Sequence, residues 1–317
     1  AQSPMAGDMV AKPEGELILK TSNPATCTES DGGVGRNIAE VLGRLGAKPL
    51  LYSVVGNDSR GQAILNRLAT ECGVPSARDL VKVVDGVNTA TYLAVLDGDG
   101  DMHVACADMK ILKRIPMPSD DVLRASAMLV VDANAPLETI REVVQRARMR
   151  GVEVFFEPTS VPKAAKVARD SEIMKCLTHM SPNADELLAM ANLGGRRRSE
   201  KEVALLQVEP GHKTIVELTR KLLERMDPHE AHIVVTMGAQ GCLLMSRVND
   251  DQDPSVQYFP AHSGIVVANA TGAGDSFTGA VVHSLLHKNR MPAAVEAGMK
   301  AAVASLQCPD RAISSHL

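Results

Sequence analysis

Apolar and polar residues follow two different spacings along this chain, and the two spacings alternate. Short runs rich in Val, Leu and Ile are typical of buried strands, and between them stretches with apolar residues three and four positions apart predict helices. The predicted strands are residues 49–55, 128–131, 152–156, 177–180, 231–237 and 241–246, and the predicted helices include residues 61–72, 136–150 and 292–308. This repeated strand–helix unit predicts an α/β fold with a mostly parallel central sheet covered by helices on both faces.

Two kinds of segment do not follow this alternation of strands and helices. Residues 89–96 and 102–107 flank the turn Asp97-Gly98-Asp99-Gly100, a pattern that predicts a β-hairpin. We expect this hairpin and residues 16–20 to form a small separate sheet over the main domain. Charged and turn-forming residues at about 193–213 and 248–256 indicate two surface insertions.

The composition narrows the classes of function. Of the 317 residues 45% are apolar but only 2% are aromatic, so the core must be built from aliphatic residues and the 15 Met. The formal net charge of -4 argues against a nucleic acid partner, and no apolar run is long enough to cross a bilayer, so no membrane partner is expected. The six Cys include no Cys-x-x-Cys pair, which disfavours a zinc site and fits a reducing, cytoplasmic compartment.

The run Asn269-Ala270-Thr271-Gly272-Ala273-Gly274-Asp275 carries the strongest chemical signal, and an apolar helix follows it. Small residues let backbone N–H groups turn toward an anion, and a helix N-terminus adds a positive partial charge. An aspartate beside such a cradle suits a base that takes a proton from a hydroxyl as that hydroxyl attacks phosphorus. On these residues alone, phosphoryl transfer to an alcohol and an ordinary glycine-rich helix start are equally supported.

A second element of small residues lies near the N-terminus, at Gly32-Gly33-Val34-Gly35-Arg36-Asn37. It precedes a predicted helix, and the Asn37 amide can both donate to and accept from sugar hydroxyls. Ile38 stands where the third glycine of a dinucleotide fingerprint would be, so a nucleotide-dependent oxidoreductase is disfavoured. Taken alone, the element is better explained as a tight turn with Asn37 as a cap.

Together with three intervening motifs, these two elements make the chain resemble the ribokinase-like (PfkB) family of carbohydrate and nucleoside kinases. The resemblance runs from about Asp8 to the C-terminus, apart from the two insertions. The intervening motifs are Gly56-Asn57-Asp58-Ser59-Arg60-Gly61, Pro182-Asn183-Ala184-Asp185-Glu186 and Thr236-Met237-Gly238-Ala239-Gln240-Gly241. The resemblance implies a single three-layer α/β/α kinase domain over residues 1–317, with a small β-sheet lid whose strands come from about 10–30 and 88–110.

Shorter stretches are similar to the pseudouridine kinases within that family. They are Thr21-Ser22-Asn23-Pro24, Arg36 in the second element, Ala107-Asp108-Met109, Glu157-Pro158-Thr159-Ser160 with Lys163, and Asn269, where many relatives carry aspartate. This resemblance implies transfer of the ATP γ-phosphoryl group to the 5′-hydroxyl of pseudouridine, which gives pseudouridine 5′-phosphate and ADP.

The family resemblance also implies a role for each matching residue. Asp275 matches the catalytic base, and Gly272, Ala273 and Gly274 match the anion hole that stabilises the transferred phosphoryl group. The implied substrate-binding residues are Asp8, Gly32, Gly33, Asn37, Asn134 and Lys163, although a surface lysine explains Lys163 equally well. The implied nucleotide-binding residues are Asn183, Glu186, Thr236, Gly238, Gly241 and Thr271, and Glu186 is expected to organise Mg²⁺ through water.

The resemblance implies ATP and Mg²⁺ as cofactors, and it admits K⁺ as a monovalent cofactor. A nucleoside and ATP are the expected small-molecule partners, and a homodimer is expected through the lid sheet. Two readings compete with the pseudouridine kinase: a family member that acts on ribose, adenosine or another nucleoside, and a non-catalytic ribokinase-like binding protein. The intact Asp275 and its cradle argue against the second.

The ends of the chain fit the family less well. The family opens with an apolar strand that leads into the sugar-binding aspartate, whereas residues 1–7 have poor strand propensity. We therefore expect that the first strand is lost or that the chain comes from a longer polypeptide. Its last residues, Ser315-His316-Leu317, resemble the Ser-Lys-Leu peroxisomal address, which adds a peroxisome-type location to the cytoplasmic expectation.

Overall fold

The computed structural model describes residues 5–97, 102–191, 211–227, 229–249, 252–308 and 313–314. The strands in this part of the chain are β1 Ala6–Pro13, β2 Ala25–Gly32, β3 Ser53–Gly56, β4 Val81–Val84, β5 Ala90–Leu96, β6 Met102–Asp108, β7 Met128–Asp132, β8 Glu153–Glu157, β9 His179–Met180, β10 Ala231–Thr236, β11 Cys242–Arg247 and β12 Ser255–Phe259. The helices are α1 Val34–Arg44, α2 Ser59–Thr70, α3 Ala77–Leu80, α4 Asp120–Ala125, α5 Leu137–Arg148, α6 Val161–Ala168, α7 Ser171–Met174, α8 Ala184–Ala191, α9 Gly211–Leu223, α10 Ala273–Leu286 and α11 Met291–Leu306.

The central sheet has six strands in the order β12-β11-β10-β9-β8-β7. The strands β7, β8, β9 and β10 run parallel, while β11 and β12 pair antiparallel at one edge. The predicted α/β class and the mostly parallel sheet are therefore confirmed. All four parallel strands end at the same edge of the sheet, which is where open α/β sheets bind their ligands.

Alternate residues of the central strands pack into two separate hydrophobic cores. Val154 and Phe156 pack in one hydrophobic cluster with helices α5, α6, α8 and α9, whereas Phe155 between them packs in a second cluster with α1, α10 and α11. Because side chains alternate across a strand, a sheet with apolar residues at every position must be covered on both faces. The result is the three-layer α/β/α arrangement.

A second sheet has four strands in the order β2-β1-β5-β6. The strand β1 pairs antiparallel with β2 and parallel with β5, and β5 pairs antiparallel with β6. The hairpin prediction for β5 and β6 is confirmed in their strands, whereas most of its turn, 98–101, lies outside the described residues. The prediction that residues 16–20 supply a strand is wrong, since they form a bend and turn between β1 and β2.

The expectation for residues 1–7 is corrected in part, since Ala6 and Gly7 lie in the strand β1 that carries Asp8. The strand β1 begins at Ala6, and Met5 and Ala6 are buried. The low strand propensity of Ala6 and Gly7 is overridden because β1 is hydrogen-bonded to a neighbouring strand on each side.

Strand β3 is shorter than the predicted strand 49–55 and pairs parallel with β4 in a small two-stranded sheet. The first insertion, apart from the beginning of α9, lies outside the described residues, as do residues 250–251 of the second and the C-terminal tripeptide 315–317. Among the helices that the structure describes, none combines the length and the apolar character needed to span a membrane.

Two histidines are buried on adjacent strands of the central sheet, His179 at the start of β9 and His232 near the start of β10. His179 stacks on Phe155 at 5.7 Å between ring centroids, and its centroid is 5.0 Å from that of His232. Burial and the neighbouring His232 lower the pKa of His179 to about 3, and burial also lowers the pKa of His232. Both rings are therefore neutral at physiological pH.

Candidate active site

Polar groups cluster where the parallel strands end. Asp132 closes β7, Glu157 closes β8, and Thr236 closes β10, while Asn183 follows β9 and bridges to Thr236. Each carboxylate is buried, at 1% exposure for Asp132 and 8% for Glu157. The predicted catalytic run lies against this edge, because α10 begins there.

Helix α10 starts with its small residues arranged as a cradle. Gly272 is the N-cap residue and has φ 81°, a left-handed conformation that glycine adopts without strain. The N–H groups of a helix's first turn have no partner within the helix, so those following Gly272 are available to an anion. A Cβ placed on Gly274 would meet nothing within 4 Å, so this backbone faces open space.

Asp275 lies in the first turn of α10 and is held by Asn37 from α1. The Asn37 Nδ2 donates to the Asp275 Oδ2 at 2.6 Å. Burial raises the pKa of Asp275 to about 6; the Asn37 hydrogen bond and Arg36 lower it, whereas Asp132 and Asp8 raise it. A carboxylate with a pKa near 6 is ionised at neutral pH and is a stronger base than an ordinary aspartate.

Asp8 approaches the same space from the four-stranded sheet. Its carboxylate lies directly over Gly32, where a Cβ would come within 2.1 Å of the Asp8 Oδ2. Only glycine permits this approach, which explains the first glycine of the Gly-Gly pair. Burial raises the pKa of Asp8; Arg36 lowers it and Asp31 raises it.

Asp132 fixes the loops on both sides of the cleft. One of its oxygens accepts from the Gly35 N–H at 3.0 Å and the other accepts from the Asn134 N–H at 2.9 Å. The side chain of Asn134 in turn accepts a hydrogen bond from the Lys163 Nζ. The loop that begins α1 is thus tied to the loop after β7, and the exposed Lys163 is joined to Asn134.

Glu157 is the centre of a buried hydrogen-bonded group. Its Oε2 accepts from the Ser181 Oγ at 2.6 Å and from the Thr278 Oγ1 at 3.0 Å. Burial raises the pKa of Glu157 well above its usual range, and the nearby Glu186 and Asp275 raise it further. Because Thr278 lies one turn after Asp275 on α10, this group ties α10 to the central sheet.

Asn183 and Glu186 form a reciprocal cap at the start of α8. The Asn183 Oδ1 accepts from the Glu186 N–H, and the Glu186 Oε2 accepts from the Asn183 N–H, each at 2.9 Å. Burial raises the pKa of Glu186; the Asn183 N–H lowers it and Asp185 raises it. Both residues line a cavity of about 160 Å³ together with Glu157, Gly272, Gly274 and Asp275.

A larger, mostly apolar cavity of about 500 Å³ lies beside this one and shares Gly274 and Phe277 with it. Gly238 and Gly241 line it, and Thr236 lines both cavities. The predicted nucleotide residue Thr271 stands at the loop before α10, where its N–H donates to the Asn269 Oδ1 at 2.9 Å. The two cavities adjoin at the residues that line both of them, next to the anion cradle.

The structure therefore brings the predicted site residues to one edge of the sheet, in two groups. Asp8, Gly32, Gly33, Asn37, Asn134, Lys163 and Asp275 surround one side, and Asn183, Glu186, Thr236, Gly238 and Gly241 surround the other. Sequence reasoning assigned no role to Asp132, Ser181 or Thr278. The position of Asp132 directly after an apolar strand was the available signal for that residue.

Comparison with known proteins identifies the family. The model of the pfkB family carbohydrate kinase matches residues 6–316. The chain is 30% identical to the pseudouridine kinase of Escherichia coli over 264 residues, which are 82% of this chain and 74% of that protein. It is 28% identical to the pseudouridine kinase of Arabidopsis thaliana over 76% of this chain, and it spans 63% of that protein's length.

The fold has a solved counterpart. The structure of Arabidopsis thaliana ribokinase complexed with ribose and ATP superimposes with a TM-score of 0.78 at 20% identity, over 99% of this chain and 94% of that one. At this identity the likeness concerns the fold alone, and it confirms the ribokinase-like architecture.

Proposed function

The chain belongs to the pfkB family of carbohydrate kinases, and on that premise we propose that it transfers the ATP γ-phosphoryl group to the 5′-hydroxyl of pseudouridine. The observation that carries the proposal is the hydrogen bond between Asn37 and Asp275 at the mouth of the Gly272–Gly274 cradle. A base and an anion-binding backbone lie side by side there. That pair is what attack of a hydroxyl on phosphorus requires.

In the proposed reaction Asp275 takes the proton from the 5′-hydroxyl as its oxygen attacks the γ-phosphorus. The new O5′–P bond forms while the bond from the γ-phosphorus to the bridging oxygen breaks, and the electron pair leaves with ADP. The first-turn N–H groups of α10 stabilise the negative charge that develops on the transferred group. Asp8 and Asn37 hold the sugar hydroxyls so that the reacting oxygen faces Asp275.

The nucleotide is proposed to occupy the cavity lined by Gly238 and Gly241, with its phosphates at the cradle. Mg²⁺ suits the oxygens of Glu186 and Asn183, and it would neutralise phosphate charge there. Within the described residues, no three His, Cys, Asp or Glu side chains converge as metal ligands. We therefore expect water and phosphate oxygens to supply most of the coordination, and K⁺ remains a proposed accessory ion.

Two observations support pseudouridine as the acceptor. The first is the relationship to the two pseudouridine kinases, one of them 30% identical over 82% of this chain. The second is that Arg36, Glu157 and Lys163, three residues of the subgroup resemblance, lie around the site rather than elsewhere on the surface. Ribose and other nucleosides are the competing acceptors.

We further propose that the four-stranded sheet is the lid over the acceptor and the homodimer contact. Its strand β6 is almost wholly exposed, with Val104 at 50% exposure, and Leu93 on β5 is 38% exposed. A lid that closes over the acceptor would exclude water, which otherwise competes for the phosphoryl group.

The test is a panel of acceptors with ATP and Mg²⁺, read by ADP release and by mass spectrometry of the product. We expect pseudouridine to give the highest kcat/KM and pseudouridine 5′-phosphate as product. Faster turnover of ribose or adenosine would show that pseudouridine is not the preferred acceptor, but it would still support the kinase activity. A chain that binds ATP and releases no ADP with any acceptor would be a non-catalytic binding protein.

A further inference from the structure

The floor of the site holds a buried cation whose role the family motifs leave open. Arg36 on α1 is only 1% exposed. Its Nη1 donates to the Glu40 Oε2 at 2.6 Å, and its Nη2 donates to the Asp31 carbonyl oxygen at 3.0 Å. The same Nη2 also donates to the Oδ1 of the neighbouring Asn37.

The contact with Arg36 determines which way the Asn37 amide points. A guanidinium can only donate hydrogen bonds, so the end of the amide that faces Arg36 must be the oxygen. The nitrogen end then faces Asp275 and donates to its carboxylate at 2.6 Å. Rotating the amide by 180° would place a donor against a donor and an oxygen against a carboxylate, and both contacts would be repulsive.

We propose that Arg36 is a positioning residue, which locks the Asn37 amide through its Oδ1 so that the Nδ2 holds the Asp275 carboxylate in its reactive orientation. The inference rests on the proposed function, because it concerns the base of that reaction. Glu40 holds Arg36 in turn, and Arg44 anchors Glu40 from the far side with an Nη2–Oε1 distance of 2.7 Å.

The charges around Asp275 support this assignment. Asp8 approaches from β1 and Asp132 from β7, and both oppose the ionisation of Asp275. Glu157 on β8 has a pKa raised well above its usual range, so its neutral form is favoured. Arg36 is the cation that lowers the pKa of Asp275, and it lowers the pKa of Asp8 as well. One guanidinium therefore favours the ionised form of both carboxylates that face the acceptor.

The test compares Arg36→Met with Arg36→Lys and with the matched control Arg44→Met. Arg44 contacts the same Glu40 but does not contact Asn37, so its loss perturbs the network without releasing the amide. We expect Arg36→Met to lower kcat about tenfold or more, since misplacing a reacting group by about 1 Å costs about 10²-fold. Its kcat/KM–pH profile should move to higher pH, while the KM for ATP stays unchanged. Arg36→Lys should recover part of the rate, and Arg44→Met should keep the wild-type profile.

A second readout does not depend on turnover. In protein labelled with ¹⁵N-asparagine, the Asn37 side-chain amide, assigned by its loss in Asn37→Asp, should show one proton protected from exchange in the wild type. That protection should be lost in Arg36→Met and kept in Arg44→Met. An unchanged amide signal, or an equal shift of the pH profile in Arg44→Met, would overturn the proposal. A wild type that shows the protected amide but turns over no acceptor would overturn the proposed function instead.

Discussion

The two larger sheets of this protein differ in how much of their surface is covered by other elements. The central sheet is covered on both faces, and its strands β8 and β10 are buried at all but one residue each. The four-stranded sheet exposes most of β2 and β6, and its inner strand β1 reaches the site through Asp8. The proposed catalytic groups come from the first sheet and its helices, whereas Asp8, a proposed acceptor contact, comes from the second.

This difference assigns separate tasks to the two sheets. A sheet buried between two helical layers holds Asp132, Glu157 and the start of α10 in fixed positions, which suits groups that act on the reacting atoms. A sheet with an exposed face has fewer contacts to break, so it can move at a lower free-energy cost. Changes in the central layer should therefore affect chemistry and stability, and changes in the four-stranded sheet should affect acceptor binding.

The largest expected effect is on chemistry at the central layer. Asp275→Asn removes the proton acceptor but keeps the size of the side chain, so kcat should fall by about 10²–10⁴-fold. The Kd for ATP, measured by calorimetry, should stay within about twofold because the larger cavity is unchanged. The Tm should rise, since burial holds the pKa of Asp275 at about 6 and its ionised form destabilises the fold.

The matched control for this change is Asp185→Asn. Asp185 is also in the first turn of a helix, but it is exposed and lies outside the cavity that Asp275 lines. Its rate should stay close to that of the wild type. Equal losses in the two variants would mean that net charge, not proton transfer, controls the rate.

The contrast in packing should appear in the free energy of unfolding. Phe156→Ala empties a fully buried position on β8 and should cost about 3–5 kcal/mol. Val104→Ala truncates a side chain on β6 that is 50% exposed and should cost less than about 0.5 kcal/mol. Urea titrations followed by circular dichroism measure both, and comparable losses would contradict the division between the sheets.

Acceptor binding should respond most to the contact between β1 and β2 in the four-stranded sheet. Gly32→Ala places a Cβ within 2.1 Å of the Asp8 carboxylate, so Asp8 and β1 must move. We expect the KM for the acceptor to rise about tenfold or more, the equivalent of one lost charged hydrogen bond. The KM for ATP should not change. Gly15→Ala is the control in the loop after β1, since a Cβ there meets nothing within 4 Å.

The pH dependence of the rate gives a smaller effect. Only the ionised form of Asp275 accepts a proton, and its pKa of about 6 lies above that of an ordinary aspartate. At saturating ATP, kcat/KM for the acceptor should fall about tenfold per pH unit below about 6 and level off above about 7. A profile that stays flat down to pH 5 would exclude Asp275 as the base.

The buried His179 should make the folding stability depend on pH. The folded protein disfavours protonation of His179, whose pKa is lowered to about 3, so folding stability is lost as pH falls below about 6.5. The loss should reach about 1.4 kcal/mol per pH unit for this residue. His179→Gln should flatten the dependence of Tm on pH between about 6 and 4, and an unchanged slope would assign the loss to other groups.

The repeated strand–helix pattern was sufficient to predict the central sheet because both faces of its strands are apolar. Val154, Phe155 and Phe156 form one continuous apolar run, and a strand of this kind must be covered by helices on both faces of its sheet. Strand β1 could not be predicted in this way. Its Ala6 and Gly7 have low strand propensity, and the strand forms because β2 and β5 pair with it on either side.

The candidate site was predictable where a motif concentrates unusual residues, as in the run that ends at Asp275. It was less predictable where contacts join distant parts of the chain. The link from Asp132 to Gly35 and the link from Glu157 to Thr278 span 97 and 121 positions, and no local pattern marks either one. Arg36 was noted only as a subgroup resemblance, since its contacts depend on the folding of α1 against the sheet.

The buried pair of Arg36 and Glu40 also limits which substitutions can accumulate during the evolution of this protein. Losing Glu40 first leaves the Arg36 cation uncompensated in the floor of the site, at a cost of about 3–5 kcal/mol, whereas losing Arg36 leaves Glu40 paired with Arg44. That is a large part of the roughly 5–15 kcal/mol that holds an ordinary domain together. Replacing both at once with apolar residues would cost far less, but two simultaneous substitutions are rare. Descendants that keep Arg36 are therefore expected to keep Glu40 as well.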